Sequence, residues 1–209
     1  MPLIETLITF ISISTLLCFS PGPDNIFVLS QSAINGRMAG VLITIGLCIG
    51  LIIHSLLISL GISAIVRENA IILKIIKTLG VIYLCYLAWG AFNAKPISLK
   101  NNNDKFNNSK VLIKKGIMMN LSNPKVIIFF LAFLPQFTNQ NINAIPISFQ
   151  LFSLGLIFSV IAFIVFSIIS YLSGFFSEKI FQKPKVQNIL NKTSAVIFVA
   201  LAINLFRFE

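Results

Sequence analysis

Side chains that do chemistry are scarce in this sequence. One His, three Cys and six acidic residues are all that 209 positions hold of those types. An enzyme needs paired acids or a His/Ser/Asp group gathered at one place. A lone His, with acids mostly in loops or at segment ends, does not supply that set, so no enzyme is expected. Cys18, Cys48 and Cys85 each stand alone inside an apolar run, with no C-x-x-C and no Cys/His cluster. No metal site, cofactor or disulfide framework is expected, and the three read as small buried hydrophobes. Charge is short as well. Charged residues make up 11% of the chain, where a soluble domain carries about 25%, so a soluble globular domain is excluded.

What fills the chain instead is hydrocarbon. Hydrophobic residues reach 56% and include 20 Phe, with a mean hydropathy of +0.93. They fall in six long segments: 3–33, 39–66, 71–92, 111–134, 145–176 and 189–208. A bilayer-crossing helix needs about 20 apolar residues, so six spans fit. The runs lack the alternation of a membrane barrel, and only helices or closed barrels satisfy the backbone in lipid. The expected fold is an all-α integral membrane protein, its surface partnered by the bilayer. The start, MPLIE, has no positive n-region and no A-x-A-like site follows, so residues 3–19 read as part of the first span rather than a cleaved signal.

The formal net charge of +10 does not call for nucleic acid, because the positive residues cluster between the apolar runs. Arg37, six lysines between Lys95 and Lys115, and Lys179, Lys183, Lys185 and Lys192 share one face, eleven in all, against Arg67, Lys74, Lys77 and Arg207 on the other. The positive-inside rule then puts the eleven-charge face in the cytoplasm and both termini in the periplasm. The chain reads as one transmembrane domain, with a first repeat at 1–94, a flexible cytoplasmic loop at 95–110 and a second repeat at 111–209.

Two spans are broken. The first carries SPGPDN (Pro21, Gly22, Pro23, Asp24, Asn25) and the fourth carries SNPK (Asn123, Pro124, Lys125). Proline removes an N–H and clashes with the preceding turn. Aligning Pro23 with Pro124 sets Asp24 opposite Lys125. In the same way, ILKIIKTLGVIYLCYLAWGAF from Ile72 aligns with VQNILNKTSAVIFVALAINLF from Val186. Three spans per half give the halves opposite orientations, the inverted-repeat design of secondary transporters whose broken helices meet near the midplane. The half-helix end after Pro23 suits a carboxylate, and the carbonyls before it suit an ammonium group. An amino acid zwitterion has both.

Asp24 and Lys125 are the charged residues near mid-span, and a charge there costs about 2.5–3.5 kcal/mol on insertion scales. They either bind substrate or coupling protons, or form an ion pair locking the halves together, and the two roles are compatible; Lys125 has snorkelling as a further reading. His54 is either a proton relay or a hydrogen-bonded interior His. Asn25, Asn120, Ser122 and Asn123 flank the breaks, as substrate contacts or as helix caps. Gly46-x-x-x-Gly50 reads as a packing groove, and Tyr83, Tyr86 and Trp89 as interfacial anchors.

SPGPDNIFVLSQSAINGRMAGVLITIGLCIG, GVIYLCYLAWGAF and GIMMNLSNPKVIIFFLAFLPQF together resemble the LysE-type translocators, which cover lysine exporters and the homoserine/threonine exporters of the RhtB branch. The match runs over nearly the whole chain. The resemblance implies a secondary active exporter of amino acids or small derivatives in the bacterial inner membrane, driven by protons, with weight on Pro21, Gly22, Pro23, Asn123, Pro124 and Lys125, and on Asp24. The family often carries an acid after the glycine matching Gly50, where this chain has Leu51, and the last span lacks the usual glycines. Export of another small solute or a cation, or a scaffold role, are the rival readings. The substrate, the coupling ion and the oligomeric state, a homodimer included, stay open.

Overall fold

A computed structural model of the chain describes residues 4–20, 22–68, 70–94, 108–139, 145–175 and 183–207. Among these, all regular structure is helical: α1 (Ile4–Phe19), α2 (Pro23–Asn35), α3 (Arg37–Glu68), α4 (Ala70–Phe92), α5 (Ser109–Leu121), α6 (Pro124–Ala132), a 3-10 turn (Leu134–Phe137), α7 (Ile147–Phe175) and α8 (Pro184–Arg207). The helices end where the sequence withdraws donors or adds turn residues. Gly36 joins α2 to α3 at φ 81°, a conformation that a Cβ would strain. Pro23 and Pro124 open α2 and α6 at the first helical position, where a missing N–H is harmless.

Four helices are long and apolar enough to cross a membrane unbroken: 37–61 within α3, 71–92 within α4, 147–173 within α7 and 184–206 within α8. The pairs α1–α2 and α5–α6 bend by 57° and 53° at their breaks. Counting each bent pair as one span gives six, by length and composition. α5 begins at Ser109, inside the stretch read from sequence as a loop at 95–110, because the Asn108 side chain accepts a hydrogen bond from the Lys110 N–H and caps the helix. The rest of that loop, 95–107, lies outside the described residues.

α3 is the spine. It packs along α5 and α7 and touches α2, while α4 packs along α8. The α3–α5 contact is backbone on backbone: a Cβ on Gly46 would overlap the Ile113 carbonyl and sit 3.0 Å from the Gly116 Cα. Gly46 and Gly116 therefore let two helices approach as small-residue stripes do in lipid. Gly46→Ala is expected to lower the melting temperature of the purified protein in detergent. The backbone atoms in the way cannot rotate aside, and overpacking of about 1–3 kcal/mol outweighs the ~1 kcal/mol gain in helix propensity. A higher melting temperature would contradict this packing.

At one end of the bundle, Ser32 and Ser170 share a hydrogen bond of 2.7 Å, and the Ser170 hydroxyl also donates to the Arg37 carbonyl at 3.1 Å. This ties α2, α3 and α7 together. The core on the far side of the breaks is aromatic, with Phe129, Phe130 and Phe158 in mutual edge and tilted contact and Phe10 against Phe137. Leu51 is fully buried in this apolar interior. The outer surface is equally apolar, as Ile71, Leu79, Ile82 and Trp89 on α4 illustrate; lipid is the solvent it suits. Cys18 is buried as expected, but Cys85 is exposed on α4. An apolar run in a membrane helix says nothing about which side meets protein and which meets lipid.

Candidate functional site

The site grows out of the backbone bonds that proline removes. Pro23 has no N–H, so the Phe19 carbonyl has no helical partner, and Pro21 would do the same to Leu17; Pro21 itself lies outside the described residues. The two carbonyls next to these are taken up by side chains. The Cys18 carbonyl accepts from Asn25 Nδ2 at 2.7 Å, and the Ser20 carbonyl accepts from Lys125 Nζ at 3.2 Å. Helix α2 then restarts with the Ile26 N–H on the Gly22 carbonyl at 3.0 Å. Asp24 falls in its first turn, at the positive end of the helix dipole.

The second break mirrors this logic. Pro124 leaves the Asn120 carbonyl without its helical donor, and that oxygen accepts from the Asn123 N–H at 3.0 Å, with His54 Nε2 at 3.4 Å. The Asn123 side chain caps α6 by accepting from the Lys125 N–H at 3.0 Å. Lys125 then reaches across to Asp24, Nζ to Oδ1 at 3.3 Å, with side-chain exposures of 7% and 4%. Each charge would be costly alone in the bilayer, and together they neutralise one another. The pair fits because Gly22 has no side chain: a Cβ there would lie 2.6 Å from Asp24 Oδ1 and 2.8 Å from Lys125 Nζ.

Near the breaks, polar capacity is left over. Asn25 Oδ1 and Asn123 Nδ2, the Ser20 hydroxyl, and Asn120 Oδ1, which faces Gly50 on α3, are buried and make no hydrogen bond among the described residues. An unmet buried polar atom costs about 1–3 kcal/mol, so Asn25 Oδ1 and Asn123 Nδ2, on residues that line the cavity described next, call for a partner such as water or a ligand.

Both breaks open onto one cavity of about 680 Å³, within the range of about 300–1,000 Å³ usual for small-molecule sites. Gly22, Pro23, Asn25, Asn123, Pro124 and Lys125 form one end. From there it runs between α2, α4, α7 and α8 toward Ala94 and Gln187, at the Lys-rich end of the bundle. Its walls are mostly apolar, with Ile26, Leu29, Leu87, Ile169, Leu190 and Phe198 among them, and none of the described residues lining it is acidic.

The LysE type translocator model matches residues 15–208 of this sequence. The chain belongs to that family. An uncharacterized membrane protein of Bacillus subtilis (strain 168), YrhP, is 28% identical over 95% of this chain and 97% of its own. A leucine efflux protein of Klebsiella pneumoniae is 25% identical over 95% and 93%, and another, from an Enterobacter species, is 26% identical over 88% and 87%. No solved structure matches.

In this LysE type translocator, Lys125, Asn25 and Asn123 line one end of the cavity with Gly22, Pro23 and Pro124, and Asp24 lies buried behind that lining, paired with Lys125. Asn123 caps α6 and also lines the cavity. Asn25 is not a cap; its amide spans the first break. Lys125 does not snorkel, since its ammonium is held by Asp24 and Ser20. His54 lies apart, on the far side of the second break, with its ring 6.1 Å from that of Phe130. Tyr83 and Tyr86, expected as interfacial anchors, line the cavity. Sequence reasoning missed Ser20 and Ser194. Ser20 sits in the quoted SPGPDN and acts through its carbonyl, which no side-chain pattern reveals.

Proposed function

We propose that this translocator exports neutral amino acids with apolar side chains across the bacterial inner membrane by alternating access. The observation that carries the reading is the buried Asp24–Lys125 pair, with Asn25 Oδ1 and Asn123 Nδ2 on neighbouring residues, at one end of a mostly apolar cavity. Substrate parts the pair, and its ammonium takes the place of the Lys125 ammonium on Asp24 beside the Asn25 oxygen. Its carboxylate binds Lys125 and the Asn123 amide. A zwitterion thereby satisfies both charges and the unpaired amide atoms without importing net charge. The side chain extends along Ile26, Leu29 and Phe198. A lysine-like side chain has no carboxylate to meet there, which argues against cationic substrates, and the leucine efflux proteins among the relatives agree with an apolar one.

Two inverted three-helix repeats supply the alternating access. Support comes from the two bent helix pairs at matching places and from α3 lying against α7 and α4 against α8, each helix against its counterpart. Coupling is to protons, with Asp24 the acidic residue at mid-span and His54 a relay beside the second break. Both termini face the periplasm. Cells preloaded with a panel of labelled amino acids test this. Leucine-like substrates are expected to leave faster with the protein than without, and lysine at an unchanged rate. Lysine efflux without leucine efflux would overturn the proposal.

A further inference from the structure

Resting on the alternating-access reading, we infer that Gly80, Ala132 and Leu205 form the outer gate of the transport cycle, closed in this structure, and that Ser194 and Ala91 belong to its open inner counterpart. The repeat makes two interfaces equivalent. Aligning Ile72 with Val186 makes Gly80 the counterpart of Ser194, and Leu205 that of Ala91. Aligning Pro23 with Pro124 makes α2 the counterpart of α6. The contact of α4 with α6 and its equivalent, the contact of α8 with α2, should therefore look alike if the two halves are in the same state.

They do not look alike. On the α6 side, packing is closed. Gly80 is buried against α6 and α8, and a Cβ on it would lie 2.6 Å from the Ala132 Cβ and 3.2 Å from Leu205 Cδ2. Ala132 and Leu205 are buried with it. On the α2 side, α8 stands away across the cavity; Ala91, the counterpart of Leu205, is half-buried in its wall, and Ser194, the counterpart of Gly80, also lines it, although its hydroxyl is turned onto the Leu190 carbonyl and the residue is buried. One pair of repeat-related contacts is shut while the other is open. Exchanging the two conformations closes α8 onto α2 over Ser194 and Ala91 and parts α4 from α6 at Gly80. That exposes the Asp24–Lys125 end of the site to the opposite side of the membrane. The tight point at Gly80 is what makes the exchange testable, since the neighbouring Cβ of Ala132 has no rotamer by which to yield.

The test uses the full-length protein in right-side-out and inside-out vesicles, with Cys18, Cys48 and Cys85 replaced by Ala. One reporter is Ala91→Cys in the inner cavity and the other is Ile128→Cys, whose native side chain reaches within 4.0 Å of the position a Cβ would take on Gly80. A membrane-impermeant maleimide is applied from each side without substrate. Gly80→Leu is expected to raise labelling of Ile128→Cys about tenfold and to lower that of Ala91→Cys by a similar factor, as overpacking of one state shifts the population. Ser194→Leu is expected to do the reverse. Gly80→Ala, a smaller wedge, keeps the test if the leucine variant fails to fold, with the same directions. Labelling unchanged in a folded Gly80 variant, or rising at both reporters, would overturn the gate. Because no substrate is present, reciprocal labelling beside a failed efflux panel leaves the gate standing and removes the amino acid reading, and the converse result removes the gate alone.

Discussion

Asp24→Asn and Lys125→Ala are each expected to cut export about a hundredfold while the protein still inserts in the membrane. Either change leaves the other member of the 3.3 Å pair as an uncompensated charge in a buried place. Losing one partner of a buried pair typically costs about 3–5 kcal/mol, and each also strips the site of one of the two charges that a zwitterion needs. Efflux rates normalised to folded protein are expected to fall by about two orders of magnitude, equivalent to ~2.7 kcal/mol of lost transition-state binding. The double variant Asp24→Asn with Lys125→Gln separates the two contributions. It removes both charges, so the folding penalty is relieved and protein yield returns, but transport does not. Recovery of transport in the double variant would mean that the pair only fastens the helices, and wild-type rates in both single variants would remove these residues from the site altogether.

Gly22→Ala has the second largest effect, for a steric reason. The added methyl falls 2.6 Å from Asp24 Oδ1 and 2.8 Å from Lys125 Nζ, closer than real Cβ contacts come. The lysine end can swing away, but the short Asp24 side chain has little room, so the pair separates. Backbone strain does not enter, because Gly22 is extended at φ −154° and ψ 178°. Export is expected to drop about tenfold or more, the equivalent of roughly 1.4 kcal/mol. The apparent affinity for substrate should weaken along with the maximal rate, because the groups that bind the zwitterion are displaced. Gly36→Ala, which alters the other glycine near α2 but lies in open space with φ 81°, serves as the comparison. If Gly22→Ala transports as well as wild type, the close approach at Gly22 is dispensable.

The span positions are legible in the sequence because they rest on composition and on proline. An apolar run of sufficient length becomes a membrane helix wherever the backbone has no water to bond to. Pro23 and Pro124 must break theirs because they lack the N–H that continues the ladder. The opposition of Asp24 and Lys125 follows from aligning the two breaks, and the 3.3 Å contact agrees with it. The start of α5 lies two residues ahead of the apolar run at 111, because the Asn108 cap acts through a local hydrogen bond, which hydropathy does not register.

What the sequence by itself determined is thus the membrane class, the long apolar helices, the two breaks and the opposition of their charges. All of these depend on which residues lie where along one dimension. Only the tertiary structure decided which carbonyls the side chains take up, that Gly22 makes room for the pair, and that Tyr83 and Ser194 face a cavity while Cys85 faces outward. It alone set His54 apart from that cavity. The physical reason is the uniform chemistry of the helices. When nearly every face of a helix is apolar, periodicity no longer points to the interior. The rotation of each helix is then settled by close packing at Gly46, Gly80 and Gly116 and by a few buried polar contacts.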